Sequence, residues 1–383
     1  MRELVRSSSL SWMRRGDDRR RSNRHGVGGA GVADPRNLSN PAGLVPDSRQ
    51  GEPQQGCRPV DPTQPSRAGR CTSTPARRAS GAVTLLAMRV ASIGEILWDV
   101  FGQEERLGGA PFNFAAHAAR LGHEAVFLSA VGDDERGRKA IRLAQQLNVS
   151  TEFLHTVQEL PTGRVTVELD AAGVPSFTIH RPAAYDLFRL SPEELQRLAE
   201  FSPDVVAFGT LHQTAPAVKA QVRLLLDACP GARRFYDVNL RQDSYNVFLL
   251  EDLMMEASVV KLNREEMEQI NRLFGLSFPS LEKACRYWCA RYGWEALAVT
   301  LGEEGCAALA GEEWVESPGY RVKVVDTVGS GDAFAAAFVH GLAEGWPLAE
   351  VADFANRVGA VVASKPGAVP VWTLEECQAL KRS

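Results

Sequence analysis

The segment Asp326-Thr327-Val328-Gly329-Ser330-Gly331-Asp332 gathers two carboxylates and two glycines where a predicted β-branched strand, Val324-Val325, gives way to an Ala-rich helix, Ala333 to Leu342. A strand that turns through glycines into a helix leaves the first helical N–H groups unpaired, at the positive end of the helix dipole. That arrangement suits an anion, and a phosphate in particular. An aspartate among such donors repels a phosphate but meets a hydroxyl well. Asp332 therefore reads as a general base, and the amides of Gly329, Ser330, Gly331 and Asp332 as an anion hole for a group in transfer. The bland alternative, a capped helix after a Gly turn, is common. Two other phosphate loops are excluded. No Lys follows Gly331, as a Walker A loop requires, and Phe334 stands where a dinucleotide fingerprint has its third Gly.

Such a loop has to be held by a sheet. From Met88 onward short apolar runs recur at Val90–Ile93, Ala125–Val131, Val205–Phe208, Arg234–Val238, Val259–Leu262 and Leu297–Leu301. Helical stretches separate most of them, at Asn113–Leu121, Gly137–Leu147, Pro216–Ala228 and Ser280–Tyr292, with Ser280 as an N-cap. This alternation predicts an α/β fold: a parallel sheet covered on both faces. One piece differs. Arg164–Leu169 and Ser176–His180 alternate polar and apolar residues about a turn at Ala171-Ala172-Gly173, which predicts a hairpin with one wet face, at about 163–181. It is placed as a small lid over the carboxyl edge of the sheet, with a plain edge hairpin as the alternative.

Composition narrows the function classes. The chain has 383 residues, 44% apolar and 23% charged, as in an ordinary soluble enzyme. Residues 1–87 carry 15 Arg, no Lys and 7 acidic residues, a net +8, which leaves −12 on the rest. A domain at −12 is a poor partner for nucleic acid or an anionic membrane. No apolar run is long enough to span a bilayer. Residues 1–87 are rich in Arg, Gly, Pro and Ser and lack periodicity, so they read as a disordered leader or as an over-extended reading frame with the true start at Met88. The seven cysteines include no C-x-x-C pair and are expected to be reduced buried thiols of a cytoplasmic protein. His117, His155 and His180 have no acid at catalytic spacing and are expected on the surface or in the core.

The loop at Asp326–Asp332 resembles the C-terminal signature D-T-x-G-x-G-D-x-F of the ribokinase-like (PfkB) carbohydrate kinases. Gly108-Gly109-Ala110-Pro111-Phe112-Asn113 is similar to the family's di-Gly followed by an Asn, Asn263-Arg264-Glu265-Glu266 to its N-x-x-E, and Thr300-Leu301-Gly302-Glu303-Glu304-Gly305 to its T-x-G-x-x-G. The motifs keep family order over about 88–380. Gly94-Glu95-Ile96-Leu97-Trp98-Asp99 and Asp237-Val238-Asn239-Leu240-Arg241 resemble the first strand with its following loop, and the D-x-N-x-R strand, of bacterial fructokinases.

The resemblance implies a three-layer α/β/α sandwich, with a mostly parallel central sheet and a small β-lid, that uses ATP to phosphorylate a sugar hydroxyl on fructose or a related ketose. A nucleoside kinase of the same family and a silent sugar-binding protein are the alternatives. It implies Asp332 as base and the Gly329–Asp332 amides as anion hole, the roles already reached from the residues. It further implies that Asp99, Gly108, Gly109, Asn113, Arg181 and Arg241 bind the sugar, with Asp186 helping Arg181 to close the site. Asn263, Thr300, Gly302, Gly305 and Asn356 would face the nucleotide. Glu266 with Asn263 would hold Mg2+ through water, although an N-capping Asn with Glu at the third helical position is an equally good local reading. Asp326, Val328, Ser364 and Gly367 would offer oxygens to K+. Two copies would pair through the lid, as in some relatives.

Overall fold

Runs of β-branched and small apolar residues, too short for helices, pair side by side in the computed structural model, which describes residues 87–169, 175–241 and 244–382. Residues 1–86 of the expected leader and the turn at Ala171-Ala172-Gly173 lie outside the described residues. In chain order the strands are β1 (Arg89–Ile93), β2 (Leu97–Phe101), β3 (Glu104–Gly108), β4 (Glu124–Gly132), β5 (Val149–Ser150), β6 (Leu154–Val157), β7 (Gly163–Leu169) and β8 (Pro175–His180). They continue with β9 (Val205–Gly209), β10 (Arg233–Asp237), β11 (Val259–Asn263), β12 (Ala296–Thr300), β13 (Gly305–Ala310) and β14 (Glu313–Pro318). The helices are α1 (Ala110–Arg120), α2 (Glu135–Gln146), α3 (Pro192–Phe201), α4 (Pro216–Ala228), α5 (Val247–Glu256), α6 (Arg264–Leu273), α7 (Leu281–Tyr292), α8 (Ser330–Ala343), α9 (Leu348–Ala363) and α10 (Leu374–Ala379).

The central sheet runs β14-β13-β12-β11-β10-β9-β1-β4-β5, with β6 also on β4. From β5 to β12 every pairing is parallel, and β13 and β14 close one edge antiparallel. Apolar side chains of α4, α5, α6 and α7 pack on one face, around Leu225, Leu253, Ile270 and Trp288. Those of α1, α8 and α9 cover the other, around Phe114, Phe338 and Val358. This is the ribokinase-like three-layer fold. Asp134, accepting from Gly137 N at 2.7 Å, starts α2 two residues before the expected Gly137. Ser280 caps α7 as expected, from Lys283 N at 3.3 Å.

Two local expectations are corrected. Val324-Val325 is not a strand: both side chains are exposed, and the amides of Val325 and Asp326 turn to the Ala363 carbonyl at the end of α9. The chain has already left the sheet at Pro318, so no neighbouring strand is available to it. Leu97–Phe101 is likewise not a loop. It pairs with β3 and β7 in a separate four-stranded sheet of order β3-β2-β7-β8. The expected hairpin supplies only half of that sheet. Among the described residues the cysteines are free thiols, and no helix is long and apolar enough to cross a membrane.

Candidate active site

The turn into α8 builds the end of the site expected to bind an anion. Gly329 adopts φ 79°, ψ −8° at the N-cap, where a Cβ would stand 2.1 Å from the Ala368 carbonyl oxygen. Only glycine fits so close to that backbone. The helix opens at Ser330, three residues earlier than its Ala-rich stretch suggested, so the amides of Gly331 and Asp332 are first-turn amides without intrahelical acceptors, while Ser330 N donates to the Thr327 carbonyl at 3.3 Å. Ser330 Oγ donates to the Thr327 carbonyl at 2.8 Å and stiffens the turn.

Asp332 does not cap its helix. Its Oδ2 accepts from Asn113 Nδ2 at 2.8 Å, and the side chain is buried. Burial, with Asp237 nearby, pushes its carboxyl up to about 6, against the opposite pull of Lys261, Asn113 and Arg241. Beneath the turn lies Lys261, which sequence reasoning missed. Its Nζ donates to both Asp237 oxygens, at 3.1 and 3.2 Å, and lies 3.2 Å from where a Cβ on Gly331 would be. Burial of this pair is near complete, and the attraction of Asp237, Glu266 and Asp332 raises the Lys261 ammonium despite it. The available signal was an ionisable residue interrupting the buried run Val259-Val260-Lys261-Leu262.

The opposing wall comes from β2, β3 and the start of α1. Gly109, at φ 113°, puts its Cα where a Cβ would meet the Glu95 carbonyl oxygen at 2.4 Å, and a Cβ on Gly108 would touch the Asp99 carboxylate at 2.8 Å. These close approaches pack β2 and the Glu95 backbone tightly against the turn that opens α1, the helix that carries Asn113. Burial pushes Asp99 up to about 6. Asn113 keeps its Oδ1 buried and unpartnered. Arg241, by contrast, is exposed, yet its charge lowers the carboxyls of Glu95, Asp99, Asp237, Glu266 and Asp332. Arg181 is tied down by Asp186, by the Leu211 carbonyl at 3.0 Å and by the Thr214 hydroxyl.

The residues expected to face a nucleotide are more dispersed. Asn263 and Glu266 form a reciprocal cap on α6: Asn263 Oδ1 accepts from Glu266 N at 2.7 Å, and Glu266 Oε2 accepts from Asn263 N at 2.8 Å. Glu266 Oε1 also accepts from Leu240 N at 2.8 Å, which fixes the chain after β10. Thr300 lies opposite Asn263 in the β11–β12 register. Gly302, at φ 62°, and Gly305, at φ 107°, bracket a single turn of 3₁₀ helix. At Gly305 the need for glycine is set by β14, since a Cβ would stand 2.1 Å from the Ser317 carbonyl. Asn356 spends its Nδ2 on that same carbonyl at 3.0 Å.

Asp326 stands apart from Asp332. Its Oδ2 accepts from Arg106 Nη1 at 2.7 Å and Gly367 N at 3.1 Å, and its Oδ1 from Val328 N at 3.0 Å. Ser364, one residue after the Ala363 carbonyl that receives Asp326 N, donates its Oγ to the Val361 carbonyl at 2.7 Å. His117, buried as expected, joins α1 to the loop over Gly329 by hydrogen bonds with the Ala368 carbonyl (3.0 Å) and Trp372 (3.2 Å). His155 does have an acid partner, Glu194 Oε1 at 2.7 Å, brought by the fold from a distant helix. His180 meets the Thr166 hydroxyl at 2.7 Å within the small sheet.

An uncharacterized sugar kinase from Pyrococcus horikoshii, solved in complex with ATP, is similar to this chain at 29% identity, covering 73% of it and 94% of its own chain, with a TM-score of 0.63. A fructokinase of Salmonella typhimurium is 31% identical over 73% of this chain and 95% of its own length. The aminoimidazole riboside kinase of Salmonella enterica, solved with aminoimidazole riboside and an ATP analog, is 26% identical over 73% of this chain and 95% of its own, with a TM-score of 0.60. The profile of the pfkB family carbohydrate kinases matches residues 86–374. With that match over residues 86–374, the chain belongs to the pfkB family of carbohydrate kinases, phosphotransferases that take an alcohol group as acceptor.

Proposed function

We propose that the protein transfers the γ-phosphoryl group of ATP to a hydroxyl of fructose or a related ketose, with Asp332 as the base. The observation that carries this reading is the Asn113–Asp332 hydrogen bond, which joins the hydroxyl-binding wall to the anion-binding turn. The acceptor oxygen bonds to the γ-phosphorus as its proton passes to Asp332, and the bond from the γ-phosphorus to the bridging oxygen breaks to leave ADP. The first-turn amides of α8 and the buried Lys261 ammonium face the charge in transfer, the main demand of this chemistry. The small sheet carrying Asp99 serves as the lid.

Mg2+ fits this site with its water shell. Both Glu266 oxygens already accept a backbone N–H, which leaves lone pairs for water and little room for direct contact. Bound there through Asn263 and Glu266, it would neutralise phosphate charge. K+ fits less well, because Arg106 already stands on Asp326 where Val328, Ser364 and Gly367 would complete the ring. No step is routed through it. Turnover is expected to be equal in K+ and in tetramethylammonium, and a clear gain in K+ would show that the cation displaces Arg106.

The acceptor is tested with ketoses, aldoses and nucleosides in an ADP-release assay. Fructose or another ketose as best acceptor, by kcat/KM, supports the reading. A nucleoside as best acceptor would move the protein to the side of the aminoimidazole riboside kinase, and no turnover on any acceptor would overturn it.

A further inference from the structure

Glu95 links β1 to β2 at the carboxyl edge of the sheet. Its side chain is 4% exposed, and its Oε2 has no hydrogen-bond partner. The backbone around it is clamped: Gly94 N donates to the Leu128 carbonyl at 3.2 Å, and Ser129 Oγ to the Gly94 carbonyl at 2.6 Å. The Glu95 carbonyl is closed off in turn by Gly109. The backbone that carries the buried side chain is therefore fixed. It lines a narrow cavity under the start of α1, together with Pro111, Thr210, Asp237 and Asn239.

A buried carboxylate oxygen without a donor is costly unless something supplies one. Three groups of the proposed site act on it: Arg241 and Arg181 favour its charge and Asp332 opposes it, and burial pushes it up to about 7. The Arg181 guanidinium donates instead to Asp186, Leu211 and Thr214, and Arg241 Nη1 to the Leu240 carbonyl. Among the described residues no cluster of acids, histidines or cysteines stands ready for a metal ion. A neutral donor from a bound molecule is what remains. The acceptor of this reaction is a polyol, and Asn113 Oδ1 on the same wall is also buried and open.

We propose that Glu95 is a specificity-determining residue of the acceptor subsite, its free carboxylate oxygen taking a hydrogen bond from a substrate hydroxyl other than the one phosphorylated. This rests on the kinase reading above. The hydroxyl pairs with a charged acceptor out of water, so its loss discriminates strongly between acceptors. A purely structural Glu95 would instead affect stability alone.

The test compares wild type with Glu95→Gln at pH 8, on the best acceptor of the panel and its monodeoxy analogues. The variant should raise the acceptor KM by about 10- to 100-fold, as for a lost hydrogen bond to a charged group, with the ATP KM within about twofold. Its unfolding midpoint should not fall, because a desolvated charge has been removed. One monodeoxy analogue should be rejected by wild type and tolerated by the variant relative to the parent sugar, closing a cycle between side chain and hydroxyl. An acceptor KM within twofold of wild type, or a lower midpoint with kinetics unchanged, overturns the proposal while leaving the kinase reading intact. Absence of turnover by wild type on every acceptor overturns both.

Discussion

Asp332→Asn is expected to lower kcat by about 10²- to 10⁴-fold while leaving the ATP Kd within about twofold, the effect of removing a general base from an otherwise intact site. The substitution keeps the shape of the side chain and an oxygen for Asn113 Nδ2, so the wall and the anion-binding turn stay joined. It also removes a buried charge. Asp332 has its carboxyl raised from 3.8 to about 6, so the folded state holds this proton more tightly than the unfolded chain does. The stability this gives is complete below the ordinary value and is lost as pH rises through about 6. At pH 8 the ionised group is therefore a cost, of about 3 kcal/mol. The Asn variant should unfold at the same or higher urea concentration at pH 8, which separates lost chemistry from lost structure. More than about a tenth of wild-type kcat would remove Asp332 from the role of base.

The same groups set the pH profile. As the proposed base, Asp332 would work only when ionised, so kcat/KM should fall on the acid side of about 6. Asp99 is pushed up to about 6 and Glu95 to about 7, and both gain protons in the same window. The acid limb should therefore fall more steeply than one proton allows. A slope of one on a logarithmic plot would mean that only one of the three carboxyls matters to turnover.

Legibility in the sequence followed burial. β1, β4, β9 and β12 are buried on both faces and show as short, mainly apolar runs, whereas Arg233, Arg234 and Asp237 flank the aromatic pair of β10 and Lys261 interrupts β11. β2 and β3 were illegible because Glu104-Glu105-Arg106-Leu107-Gly108 follows neither period, and its pairing partner Leu97–Phe101 begins in the stretch that reads as the loop after the first strand. β13 is Ala-rich and has weak strand preference. The motifs around Asn113 and Asp332 were each visible, but the bond between them spans 219 positions and is set by how α1 packs on α8. Lys261 was visible as a letter and silent as a function. A lysine in an apolar strand declares itself only once the fold puts Asp237 beside it and Gly331 above it.

That lysine gives the second large effect. Lys261→Met should lower stability by about 3–5 kcal/mol in urea unfolding at pH 8, because Asp237 would stay buried without its partner. It should also reduce kcat by about 10²-fold, the scale for losing one preorganised charge or donor at a developing anion. The two losses have different origins, and a double variant tells them apart. Lys261→Met with Asp237→Asn removes both members of the pair, so no lone charge is buried and most of the stability should return. The ammonium beneath Gly331 is still missing, so kcat should stay low. Recovery of kcat along with stability would mean that Lys261 only balances Asp237 and that the amides of α8 stabilise the transferring group without it. Continued low stability in the double variant would mean that the Lys261 stem packs against its neighbours in a way Met does not reproduce. The expected outcome, a stable but slow enzyme, would assign the positive charge of the anion-binding turn to a side chain on the neighbouring strand as well as to the helix it opens.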